Sequence, residues 1–189
     1  MIEIIKDKNT WDAFLDTFEK CDLYHTYDYH CITKLEEEKP ILIKYIEGNK
    51  IIALPLLIRK IFGTPYFDVT SVYGYPGPLS NDVHESFDNS LFKQELQELF
   101  YTNNIVSVFS RLNPYLPCQD ICLKSIGEIS TIGHVVNIDL TLDLEKQKKA
   151  YSKRLRTHIN KARKNCKVKK AITKEELLVF IELYYENMS

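Results

Sequence analysis

The 189-residue sequence is poor in residues that break or staple a chain. Six glycines and seven prolines are too few for collagen-like or linker-like architectures. The five cysteines, Cys21, Cys31, Cys118, Cys122 and Cys166, are odd in number and unevenly spaced, unlike the even, dense set of a disulfide scaffold. Cys118 and Cys122 form a C-x3-C with no second ligand pair nearby, so free thiols are expected rather than a zinc site. Long apolar runs are missing. The best one, Ile51 to Ile58, is far shorter than the roughly 20 residues of a membrane-spanning helix. The start, Met1 to Asp7, lacks the basic and apolar regions of a secretory leader. A cytoplasmic protein is the expectation. Neither of the phosphate-cradling motifs G-x-x-x-x-G-K-[ST] and G-x-G-x-x-G occurs, nor do H-E-x-x-H and G-x-S-x-G.

What is present argues for a folded, well-filled interior. The chain is 44% hydrophobic and 27% charged, with Tyr 12, Phe 9 and Trp 1. Its net charge of -1 hides an asymmetry. Residues 1–144 carry 12 basic and 21 acidic side chains, residues 145–189 carry 13 and 5. The net values, -9 and +8, place the strongest candidate boundary at residue 144/145. A positive block of this size favours anionic partners such as phosphates, nucleic acid or an acidic membrane. A solvated helix face is the plain alternative.

Hydrophobic spacing predicts the elements. Ile2 to Ile5 reads as a strand. Trp11, Phe14, Leu15 and Phe18 mark a helix capped at Asn9 or Thr10 and running to Lys20. Thr26 caps a second helix to about Glu38, closed by Pro40. Ile41 to Ile46 and Ile51 to Ile61 form a hairpin about Glu47-Gly48-Asn49-Lys50. A strand follows at Tyr66 to Val72, then a loop over Tyr73-Gly74-Tyr75-Pro76-Gly77-Pro78. Glu85 to Tyr101 is predicted helical, with Phe87, Leu91, Leu96 and Phe100 toward the core, and Ile105 to Phe109 is a strand. Strands are also expected at His134 to Leu140 and at Lys167 to Ala171. A long basic helix is expected from Glu145 to about Asn165. Thr173 with Glu176 caps a last helix carrying Leu177, Phe180, Ile181 and Tyr184 on one face. The mixture is an α/β or α+β domain with a mixed sheet. The last helix has no stop signal, so the chain is expected to be the front part of something longer.

Two segments could carry chemistry. In the glycine-proline loop, Pro76 and Pro78 remove two backbone donors, so the loop suits a rigid wall presenting Tyr73 and Tyr75 better than a phosphate cradle. In the basic helix, Leu155, Ile159 and Ala162 are spaced for a narrow buried stripe. Arg156, Asn160 and Arg163 lie beside it, with Lys153 and Arg154 one turn earlier. A guanidinium grips a phosphate or carboxylate through two parallel bonds, which makes Arg156 the first binding candidate. His25, Asp28 and His30 sit close together, yet their spacing does not bring all three to one helical face. Tyr24, Tyr27 and Tyr29 add to the cluster, and partial burial at a helix start explains them as well as function does.

Four segments in order resemble the Fem-type transferases, the peptidoglycan bridge-forming aminoacyltransferases built on tandem GNAT-like (acetyltransferase-like) folds. They are Ile51-Ile52-Ala53-Leu54-Pro55-Leu56, then Tyr73-Gly74-Tyr75-Pro76-Gly77-Pro78-Leu79, then Phe109-Ser110-Arg111-Leu112-Asn113-Pro114-Tyr115-Leu116. The fourth is Leu155-Arg156-x-x-Ile159-Asn160-Lys161-Ala162-Arg163-Lys164. The resemblance implies a GNAT-like mixed sheet flanked by helices over 1–144, and over 145–189 a basic helix opening a second such unit. It implies transfer of an acyl or aminoacyl group, from acyl-CoA or aminoacyl-tRNA, to an amine of a cell-envelope or sugar precursor. No tightly bound cofactor is implied, and tRNA is an implied partner. Arg156, Asn160, Lys153, Tyr73, Tyr75 and Arg111 are the implied substrate-binding residues. The chain departs from the family at Pro76, where the bridge-forming enzymes usually carry Arg. It also lacks the Arg/Gln-x-x-Gly-x-Gly/Ala donor loop of active acetyltransferases. The alternative expectation is a non-catalytic module whose basic helix binds anions or nucleic acid.

Overall fold

The sheet is built around one long hairpin, Lys39–Glu47 (β2) against Lys50–Lys60 (β3), in unbroken antiparallel register from Lys39↔Ile58 to Glu47↔Lys50. Gly48 closes it with φ +61, the left-handed value that a type II′ turn asks of its first central residue. The computed structural model describes residues 1–188 and divides into two compact units, Met1–Gly133 and the residues from His134 on. The charge step at residue 144/145 falls inside the second unit.

In the first unit the chain continues on both sides of the hairpin. Strand β1 (Ile2–Ile5) pairs with β2, and β4 (Phe67–Thr70) pairs with the second half of β3, both antiparallel. The short β5 (Leu79–Asn81) pairs with the first half of β3. Strand β6 (Ile105–Phe109) then joins β4 in parallel, with a register shift between Phe67 and Asp68. The order is β1-β2-β3-β4-β6 with β5 beside β3 off this path, a six-stranded mixed sheet. Pro55 lies in central β3, yet β5 starts with Leu79 opposite Ala53 and β4 finishes with Thr70 opposite Leu57. No strand meets residues 54–56 on that edge, so a missing N–H is tolerated there.

Helices cover both faces. α1 (Lys8–Leu15) and α2 (Tyr27–Thr33) lie on one side, where Trp11, Phe14 and Leu15 pack on Leu42 and Ala53. α3 (Ser90–Thr102) lies on the other, where Phe92 and Leu96 pack on Ile41, Ile43, Tyr45 and Leu54. The alternation of Ile41, Leu42 and Ile43 between the faces is the period of two that an extended strand imposes. A one-turn helix, α4 (Gln119–Cys122), completes the unit.

Several predicted boundaries move. α1 is capped by Asp7, whose carboxylate accepts from the Thr10 amide at 2.9 Å, and it ends at Leu15 rather than Lys20. Phe18 is buried all the same, beyond the helix. α2 keeps the Thr26 cap but stops at Thr33, because Glu38 turns back to accept from the Leu35 amide at 2.9 Å. Pro40 is thus inside β2 rather than a helix stop. α3 starts at Ser90, and Leu91 is exposed while Phe92 takes the core position. β5 and α4 had no sequence signal strong enough to mark them.

The second unit differs more from expectation. The segment His134 to Leu140 forms no strand, and Val136 and Leu140 stand exposed. Lys167 to Ala171 forms none either. A strand needs a neighbour for its backbone groups, and neither segment is paired with one among the described residues. The single long basic helix is two: α5 (Leu144–Ala150) and α6 (Lys153–Asn165). Ser152 takes an extended conformation between them, and its hydroxyl accepts from the Leu155 amide at 3.2 Å. A serine at that position starts a helix rather than continuing one. The stripe of Leu155, Ile159 and Ala162 is not buried: Leu155 and Ala162 are exposed, Ile159 half-buried. α7 (Lys174–Met188) has the expected capping box, with the Glu176 amide donating to Thr173 Oγ1 at 3.3 Å. Its Leu177, Phe180, Ile181 and Tyr184 are exposed.

Candidate functional site

The parallel pair β4 and β6 decides where the loops meet. Both strands end at the same edge, so residues 71–78 and 110–119 leave it side by side. Three bonds lock them: Ser71 N donates to Phe109 O (2.8 Å), Arg111 N to Ser71 Oγ (3.1 Å) and Gly77 N to Arg111 O (3.0 Å). The crevice beyond the carboxyl ends of parallel strands is where open α/β sheets take their ligands.

Beneath the surface the two loops are clamped by Asn113 and Gln119, both buried. Gln119 is the first residue of α4, placed by Cys118 in the left-handed conformation at φ +63. Its Oε1 accepts from Asn113 N (2.9 Å), and its Nε2 donates to Asn113 O (2.6 Å) and Leu116 O (2.9 Å). Asn113 Nδ2 in turn donates to Tyr75 O at 2.9 Å, while its Oδ1 accepts from Tyr115 N at 3.0 Å. Gly77, at φ +50, lies so close that an added Cβ would collide with Gln119 Oε1. Glycine is required there for both its backbone conformation and its missing side chain.

An aromatic wall stands on this base. Tyr24 meets Tyr29 edge-on at 5.4 Å and Tyr75 at 6.2 Å. Tyr29 OH donates to Tyr73 O at 3.1 Å. Gly74, at φ +121, lets the loop lie flat on Tyr24, because a Cβ there would strike the ring. Tyr73 is 81% exposed and Tyr75 42% exposed, so their rings are presented to solvent. Arg111 sits with its guanidinium 5.1 Å from the centre of the Phe109 ring. Beside the wall runs a groove of about 170 Å³ with Pro78, Leu79, Leu116 and Pro117 along it and Glu19 and Lys20 at its rim.

Behind the wall lies a buried aromatic and histidine cluster. Trp11 Nε1 donates to His25 O at 2.9 Å, and the Trp11 ring centre lies 5.0 Å from that of His30. His25 Nδ1 accepts from Asp22 N at 3.0 Å. His30 Nδ1 lies 2.9 Å from Thr26 O and must carry a proton to bond it. Burial holds both imidazoles below their ordinary value, His30 at about 4. Burial likewise pushes the Cys122 thiol up to about 12 and keeps it unreactive. Asp28, by contrast, is on the surface and pairs with Lys8 at 2.7 Å. No three of His, Cys, Asp and Glu are grouped to hold a metal ion among the described residues.

Of the residues expected to bind substrate, the structure brings Tyr73, Tyr75 and Arg111 together. Lys153, Arg156 and Asn160 lie on α6 in the second unit, all exposed. No hydrogen bond or ion pair engages the Arg156 side chain among the described residues. Asn113 and Gln119 were not expected. Asn113-Pro114 reads locally as a turn, and nothing near Gln119 in sequence signals its role. Comparisons with protein-family models, with curated proteins and with solved structures find no match.

Proposed function

We propose that the protein is an acyl- or aminoacyltransferase of the Fem type, acting on an amine of a cell-envelope or sugar precursor. The observation that carries this reading is the meeting of two separate motifs. The segments 73–79 and 109–116, which resemble the family's loop and its Arg-aromatic-Pro segment, are hydrogen-bonded side by side beyond β4 and β6. Tyr73 and Tyr75 line the ligand, and Arg111 faces an anionic group of donor or acceptor. In the reaction a C–N bond forms between the amine and the acyl carbonyl. The C–O bond to the tRNA ribose, or the C–S bond to coenzyme A, breaks, and the amine's proton passes to the leaving group or water. Holding the amine against the carbonyl supplies most of the rate, so no covalent intermediate is required. On the second unit, Arg156 with Lys153 and Asn160 offers a further anion-binding surface.

The test offers labelled aminoacyl-tRNA and acyl-CoA, each with amino-sugar acceptors, to the protein. Transfer of label, or saturable donor binding lost in Tyr75→Ala and Arg111→Ala, is the expected result. No transfer and no binding of either donor overturns the reading.

A second reading is favoured by α6 itself. Lys153, Arg154, Arg156, Lys161, Arg163 and Lys164 are all exposed, and the helix carries no acidic residue. A polyanion-binding module with this helix as its surface loses affinity steeply as salt rises. A flat salt dependence refutes it.

A further inference from the structure

His25 and His30 are both 0% exposed, and the Nε2 atom of each has no hydrogen-bond partner. Their Nδ1 bonds set the tautomers. His25 Nδ1 lies 3.0 Å from the Asp22 amide and 3.2 Å from Asp22 O; the shorter contact is to the amide, which leaves the proton of the neutral ring on Nε2. His30 Nδ1 donates to Thr26 O, so its Nε2 is a bare lone pair. Each ring is therefore held in a form that acid destroys. A proton added to His25 goes to Nδ1, which breaks the 3.0 Å bond from the Asp22 N–H and leaves Asp22 O, at 3.2 Å, as the acceptor. One added to His30 goes to Nε2, deep in the cluster with Trp11, where nothing accepts it. A buried charge with no partner is expelled or opens its surroundings.

What these rings hold is the wall. His25 lies in the 3-10 turn Leu23–His25 beside Tyr24, and His30 lies in α2 beside Tyr29. Tyr24 bears on Gly74 and Tyr75, and Tyr29 holds Tyr73 O. The charged and titratable groups acting on the pair are few. Asp22 faces His25 from the same turn, the Pro76 backbone acts on it from the loop, and His25 itself faces His30. Asp22, the Pro76 backbone and the Thr26 backbone favour the charged imidazoles, but burial outweighs them; the Asp22 carboxylate also receives Asn113 Nδ2 at 3.4 Å.

We propose that residues 22–33 form an acid-released latch, in which protonation of His25 and His30 frees Tyr24 and Tyr29 from the Tyr73–Tyr75 loop and opens the aromatic wall. That the latch gates a substrate rests on the proposed transferase reading; the latch itself does not. The neutral pair has no cost above the ordinary imidazole value of 6.5, and the cost grows as pH falls toward about 4. From His30 alone, opening at pH 5 rises roughly 20-fold over that at neutral pH.

The experiment follows hydrogen exchange and imidazole NMR titration of the whole chain between pH 7.5 and 4, without substrate. Exchange is corrected for its intrinsic pH dependence. The expected result is faster exchange, at least 10-fold, confined to residues 22–33 and 73–78, while β2 and β3 stay protected. The His25→Asn/His30→Asn protein keeps both Nδ1-type bonds and cannot titrate, so it shows no such rise. Ordinary imidazole titration near 6.5 with unchanged exchange overturns the latch. So does an equal rise in β2 and β3, which is global acid unfolding. A rise that persists in the double variant assigns the effect to carboxylates and overturns it too. If the double variant does not fold, the wild-type titration decides alone. Absence of any transferase activity leaves these readouts untouched.

Discussion

Replacing Gln119 by Ala tests whether the loops are held by the clamp. The side chain makes three bonds, to Asn113 N, Asn113 O and Leu116 O, at 2.9, 2.6 and 2.9 Å, in a buried place. At about 1 kcal/mol each, and with the freed backbone groups partly buried, the loss is about 3 kcal/mol. Gly77→Ala costs about 1 kcal/mol for the left-handed backbone alone, and its Cβ also drives Gln119 out of place. Alone it should therefore cost about 3 kcal/mol, since it forfeits much of the same clamp. In the Gln119→Ala protein the collision with the amide is gone, and what remains is the backbone term with a 3.1 Å approach to Asn113 N. The double variant should fall short of the sum by about 2 kcal/mol. Urea unfolding followed by Trp11 fluorescence measures all four proteins, because the single tryptophan is fully buried in the first unit. If Gly77→Ala alone costs about 1 kcal/mol, or the two changes add within about 0.5 kcal/mol, the clamp is not what fixes the loop.

Gly74→Ala should destabilise by more than 2 kcal/mol or so, because φ +121 is strained for alanine and its Cβ strikes Tyr24. Gly63→Ala, at φ +73 in open space, should cost only about 1 kcal/mol, and equal costs in the same urea assay would refute the contact argument. Arg156→Ala should leave stability within about 0.5 kcal/mol, since the side chain is exposed. The same change should weaken ligand binding. Unfolding by several kcal/mol on calorimetry would instead make Arg156 a structural residue.

The sheet was legible where local chemistry is decisive. Glu47-Gly48-Asn49-Lys50 announces a hairpin, and the turn brings the two apolar runs beside it into register. The alternation through Ile41, Leu42 and Ile43 places two cores on opposite faces without further information. Helix ends were less legible, because competing side chains set them. Asp7 outcompetes Asn9 and Thr10 as a cap, and Glu38 takes the Leu35 amide that a longer α2 would have used. The second unit was least legible. Among the described residues α5, α6 and α7 bury no side chain, so the apolar spacing of Leu155 and Ile159, or of Phe180 and Tyr184, marks no core within it. What could be read there was capping by Thr173, while the Ser152 cap lies hidden inside a continuous run of helix formers.

The candidate site shows why motif and site are different things. Tyr73 to Pro78 and Arg111 to Pro114 each read as a loop, the first because two glycines and two prolines punctuate it, the second because of Asn113-Pro114. Neither segment says that they touch. Contact follows from β4 and β6 running parallel, a pairing between strands separated by β5 and α3, with no local signature. Once that pairing exists, both loops leave from one edge, and Ser71, Asn113 and Gln119 have somewhere to send their hydrogen bonds. The same pairing explains why Gln119 has no local signature. Its partners are six and three residues back, and they form only when Cys118 turns left-handed against a loop already in place. The exposed aromatics and Arg111 are the part of the site that sequence can nominate. The buried amides that hold them are the part only the sheet order can supply.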